Sequence, residues 1–122
     1  MGEPSRNLAI VIDAADPDRL REFWVAAMRY EPHGSAGGYR SAVPASGSTG
    51  PKFVFQQVDD PLTTAKNRLH VDIIVGEEID QEVERLETLG ATRLTELIAE
   101  VGTSWVVMAD PEGNEFCLVY DT

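Results

Sequence analysis

Cysteine is almost missing from this sequence. Cys117 stands alone in 122 residues, so no intrachain disulfide can form, and a reducing compartment is the expected setting. Positive charge is also scarce: ten Lys and Arg face 21 Asp and Glu, for a formal net charge of −11. That balance argues against nucleic-acid phosphate or an anionic membrane as the main partner. It suits a cationic ligand, or it simply keeps the surface soluble. No apolar run is long enough to span a membrane. The opening residues Met1-Gly2-Glu3-Pro4-Ser5-Arg6 hold no apolar stretch, so no secretory signal is read there. Arg6 also stands where a myristoylation pattern needs Ser or Thr. The expected location is cytoplasmic.

What is present reads as one domain over residues 1–122, with 43% hydrophobic residues to build a core. Residues 8–13 are short, apolar and β-branched, which predicts a strand. Asp16 and Pro17 then start a helix: a capping side chain, followed by the residue that suits the first helical position. Leu20, Phe23, Trp24, Ala27 and Met28 give it an apolar stripe, up to about Arg29. Residues 30–50 are rich in Gly, Ser, Ala and Pro. Two weak strands are expected there, at 30–33 and 39–43, with a loop at 44–50. The stretch from His33 to Gly50 has the composition of a lid. Residues 52–58 read as a strand. The pattern then restarts with a strand at 68–75, a helix at 79–89 capped by Gly90, and strands at 92–99, 104–109 and 115–120.

A shift of 61 positions superposes residues 8–12 on 69–73 and residues 55–58 on 116–119. Two modules follow, at about 7–60 and 67–121, each in the order βαβββ. Strand alternation assigns faces. Leu8, Ile10 and Ile12, and in the second module Leu69, Val71, Ile73 and Val75, should lie under the helices. The opposite face collects Asp13, Gln56, His70, Asp72 and Cys117, a few polar groups among apolar ones, as a ligand pocket needs.

Three stretches are distinctive: Asp16-Pro17 with Phe23-Trp24, Arg68-Leu69-His70-Val71-Asp72, and the hairpin Asp110-Pro111-Glu112-Gly113-Asn114-Glu115-Phe116. With the repeat, they make the chain resemble the vicinal oxygen chelate superfamily, which includes glyoxalase I, extradiol dioxygenases and bleomycin-resistance proteins. The resemblance implies an α+β fold of the glyoxalase, bleomycin-resistance and dihydroxybiphenyl dioxygenase type, with paired βαβββ modules forming a concave sheet cleft. It also implies a homodimer, since relatives pair modules within or between chains and open sheet edges need covering. Metal-using relatives take ligands from the first and last strand of each module, which fall here at Ala9, Gln56, His70 and Cys117. Ala9 offers no ligand, Gln56 a weak one, and Cys117 a thiolate that favours zinc or else a small buried residue. The sequence therefore assigns no firm cofactor, and zinc, nickel or manganese is kept as the alternative.

His70 reads either as a pocket donor or general base, its basicity raised by Asp72 on the same face, or as a hydrogen-bonded structural residue. Asp13 and Asp72 form a carboxylate pair if both face inward, though Asp13 sits at a strand end close to water. Tyr39 and Trp105 lie on strands where they can stack on a flat or cationic ligand, or pack in the core. Two functions compete. One is a lyase or isomerase acting on a small oxygenated metabolite through His70 and Asp72. The other is metal-free sequestration of a cationic drug, as resistance members of the superfamily do. Extradiol dioxygenase chemistry lacks its two-histidine, one-carboxylate iron site.

Overall fold

Asp16 and Pro17 do start a helix. The Asp16 carboxylate accepts a hydrogen bond from the Arg19 N–H at 3.2 Å, and Pro17 opens α1 (Pro17–Met28). The helix stops at Arg29, whose left-handed backbone (φ 55°) lets its N–H reach the Val25 carbonyl. Asp16→Ala is expected to cost about 1 kcal/mol of stability. Urea unfolding followed by tryptophan fluorescence checks this; an unchanged midpoint would mean the cap contributes nothing.

The structure is a computed structural model that describes residues 7–59 and 69–121. The chain divides into two compact units, Met1–Asp60 and Pro61–Thr122. In the first unit α1 follows β1 (Ala9–Ala14) and precedes β2 (Tyr30–Ala36), β3 (Tyr39–Pro44) and β4 (Lys52–Gln57). The sheet order is β1-β4-β3-β2, with β1 and β4 parallel and the other pairs antiparallel. Leu20, Phe23, Trp24 and Ala27 on α1 are buried together with Ala14, Ala42, Phe53 and Phe55 of the sheet. Ile10 and Ile12 pair with the buried Phe53 and Phe55 on the side the helix covers, as alternation predicts, but Leu8, 66% exposed, and Leu69, 87% exposed, lie outside the strands and are not covered.

Residues 33–50 are not one long loop. Most of them belong to the β2–β3 hairpin, whose turn at Gly37 takes a positive φ of 54°. A register shift between Pro32 and Ser35 is held by the Ser41 hydroxyl, which accepts from the Gly34 N–H at 2.9 Å. The Arg21 guanidinium on α1 donates to the Gly34 carbonyl at 3.1 Å and so ties the hairpin to the helix. His33 sits at this bulge, exposed.

The second unit runs β5 (Val71–Ile74), α2 (Ile79–Thr88), β6 (Thr92–Arg93), β7 (Ile98–Glu100), β8 (Thr103–Ala109) and β9 (Glu115–Asp121). Its sheet order is β5-β9-β8-β6, with β7 also pairing β8. Ile79, Val83 and Leu86 of α2 are buried with Val106, Met108, Phe116 and Leu118. The strand expected at 92–99 is two short ones. Between them the Thr95 hydroxyl accepts from the Val107 N–H at 3.1 Å, taking a bond that a main-chain carbonyl would otherwise make. The strand expected at 68–75 is shorter: Leu69 and His70 precede β5, and Arg68 lies outside the described residues. Among the described residues, no helix is long and apolar enough to cross a membrane.

The hairpin before β9 closes as its residues predict. Gly113 takes φ 87°. Asp110, only 3% exposed, accepts from the N–H groups of Glu112 and Asn114, both at 2.9 Å, and from the Asn114 side-chain amide.

The two parallel strand pairs are not in the same register. Ala9 pairs with Lys52 in the first unit, while Val71 pairs with Phe116 in the second. One pair is therefore displaced by two residues relative to the other, and a shift of 61 does not serve both strands. With Ala9 matched to His70, the counterpart of Cys117 is Val54 and not Gln56. A slip of two preserves which face each side chain takes.

Candidate functional site

On the open face of the second sheet, paired residues form rows. Asp72, Cys117 and Val107 make one row, and Ile74, Val119 and Trp105 the next. His70 stands two residues before Asp72. In a strand-like segment that spacing returns side chains to one face, and the His70 Nε2 lies 3.1 Å from an Asp72 carboxylate oxygen. Both side chains are 49% exposed. Cys117 is half-buried between them and the apolar row.

Possible donor atoms of His70, Asp72 and Cys117 all lie within 4.8 Å of one another, and no other described residues form such a group of three. A tetrahedral zinc with bonds of about 2.0–2.3 Å holds its donors about 3.5 Å apart. Small side-chain rotations would therefore bring this set to a metal, so the residues fit a three-ligand site. Asp72 is on the first strand of its module but is not one of the four ligand positions that the resemblance implies. Its signal in the sequence is the His-x-Asp spacing on a strand.

In the first unit, Asp13, Gln56 and Tyr39 are register partners and form one row on the open face of its sheet. Tyr39 is 50% exposed, so its ring is not core. Trp24 by contrast is fully buried. Ala9 lies four residues along β1 from Asp13, the partner of Gln56, about 13 Å away. The positions of the first unit that match His70, Asp72 and Cys117 are Ala9, Val11 and Val54. None of the three can ligate. A hollow of about 350 Å³ in this unit, bounded by Met28, Tyr30, Pro44 and Gly50, holds none of the candidate residues.

Two tyrosines titrate above their usual range. Burial pushes the Tyr30 hydroxyl up; it donates to the Pro51 carbonyl at 2.8 Å. Desolvation and then the Glu77 carboxylate push Tyr120 up. Neither belongs to the His70 cluster.

A family model described as a glyoxalase-like domain matches residues 9–119. No curated protein matches significantly. Solved structures do. A fosfomycin resistance protein, FosX, from Listeria monocytogenes superposes with a TM-score of 0.78 at 18% identity, over 98% of this chain and 96% of that one. A mutant of the same protein in complex with Mn(II) and 1S,2S-dihydroxypropylphosphonic acid gives 0.75 at 19% identity, over 95% and 90%. A glyoxalase/bleomycin resistance protein/dioxygenase family enzyme from Burkholderia phytofirmans gives 0.76 at 15%, over 93% and 97%. At these identities the likeness is one of fold.

Proposed function

Since the chain belongs to the glyoxalase-like domain family, we propose that it binds a small oxygenated molecule on the open face of its second unit and acts on it as a lyase or isomerase. The observation that carries this is the contact of His70 with Asp72 at 3.1 Å, on a face otherwise lined by Val107, Val119, Ile74 and Trp105. The carboxylate fixes the orientation of the imidazole. The pair then takes hold of a ligand oxygen, and His70, Asp72 and Cys117 are the residues that would hold a divalent ion. Such an ion, when bound, supplies a Lewis acid that polarises that oxygen. The aliphatic side chains beside it offer an apolar surface to the carbon skeleton of a ligand, and Trp105 offers a ring edge or face to a flat one. The protein works as a homodimer in this reading.

The test is a panel of α-keto, enol and epoxide compounds, scored by thermal shift and by turnover. A hit is expected to lose at least about tenfold in turnover in His70→Ala. Undiminished binding and turnover in that variant would overturn the reading. The net charge of −11 favours a second reading, metal-free capture of a cationic drug. It predicts stabilisation by a cationic glycopeptide with no turnover of any panel compound.

A further inference from the structure

The second unit carries a complete set of metal donors, and the first unit carries none at the matching positions. We infer that the second unit alone holds one zinc-type divalent ion through His70, Asp72 and Cys117, with Asp72 as the third ligand, and that the site prefers zinc to manganese. This deepens the reading above, because it names the ion for the same face.

Four observations converge. Two of the donors come from adjacent parallel strands in fixed register, Asp72 of β5 directly paired to Cys117 of β9, and His70 lies just before β5, two residues upstream of Asp72. Their ligating atoms are within 4.8 Å of one another. His70 and Asp72 are half exposed, so an ion has a path in and a fourth position stays open. Three protein ligands with one open position is the arrangement of catalytic zinc. Finally, the matching positions of the first unit hold Ala9, Val11 and Val54, side chains without a donor atom, on a face where Val11 is 55% exposed. Two apolar-to-polar differences on paired strands, and a histidine beside them, put three donors into one place.

The donor chemistry selects the ion. One nitrogen, one oxygen and one sulfur suit a borderline-soft cation. A thiolate ligand disfavours manganese and magnesium, which take harder oxygen donors. The carboxylate also offsets part of the charge of the ion.

The experiment uses the full chain, stripped with a chelator and titrated with zinc, cobalt(II) and manganese(II) in the absence of any organic ligand. One zinc per chain is expected, with manganese bound more weakly. The cobalt form should show a thiolate-to-cobalt charge-transfer band in the near ultraviolet. Cys117→Ser should abolish that band, and Asp72→Asn should weaken zinc binding at least about tenfold, with circular dichroism confirming the fold of each. The band in the unsubstituted protein reports the sulfur ligand even if a variant fails to fold. No zinc binding, a cobalt spectrum without the band, manganese bound as tightly as zinc, or zinc bound equally well by a folded Asp72→Asn would overturn the inference. Ligand binding by the metal-free protein, lost in His70→Ala, would leave the functional reading standing even then. Zinc bound as inferred, with every panel compound ignored, would sink that reading and leave the metal site.

Discussion

Phe53→Ala is expected to destabilise the first unit by about 4 kcal/mol, the usual range for emptying a fully buried phenylalanine site. Phe53 is 1% exposed and sits at the centre of an aromatic chain. Its ring stacks on Trp24 at 5.4 Å and 23°, lies 6.1 Å from Phe55 at 11°, and meets Tyr30 tilted at 5.7 Å. Removing it leaves Trp24 without its stacking partner and opens a cavity under α1 that the sheet cannot close. Each unit holds one tryptophan, Trp24 or Trp105. Urea unfolding of Phe53→Ala in a Trp105→Phe background therefore reports the first unit alone. A loss below about 1 kcal/mol would mean that the aromatic chain does not anchor that unit. Phe53→Leu should recover roughly half of the loss, since it refills volume without the ring contacts.

Asp110→Ala should cost the second unit about 3 kcal/mol. The carboxylate is buried and accepts from two backbone N–H groups and the Asn114 amide. Hydrogen bonds to an ionised acceptor contribute about 1.5–3 kcal/mol. Truncation also strands two N–H donors in a turn that a β8–β9 hairpin must make, and burying such donors unpaired adds its own cost. Asp110→Asn keeps one carbonyl acceptor and should lose less. Unfolding followed by Trp105 fluorescence measures both, because Trp105 lies on β8. A midpoint unchanged by Asp110→Ala would show that water satisfies the turn.

The residues that announced themselves in the sequence are those whose role is local. Asp16 and Pro17 start α1 through their own side chains, and Asp110 with Gly113 closes its hairpin through contacts at most four residues away. Alternation in β1 and β5 was legible because a two-residue period needs no partner. What stayed hidden depends on partners distant in the chain. The break between β6 and β7 comes from Thr95 bonding Val107. The strands at 30–33 and 39–43 are legible as weak ones, and what the sequence does not show is their register shift and its tie to α1, which rest on Ser41 and Arg21. The candidate site shows the same division. His70 and Asp72 share a face by spacing alone, whereas Cys117 joins them, and Gln56 does not match it, only through strand register.

That two-residue displacement between the parallel pairs also says which length changes the sheet tolerates. If the halves arose by duplication, an insertion or deletion of two residues between paired strands moves the ladder by one pleat repeat and leaves every core side chain inward. A change of one would turn Phe53 and Phe55 outward together. Two copies of a module can thus drift apart in steps of two, each step handing the open face a new set of neighbours while the packed face keeps its pattern.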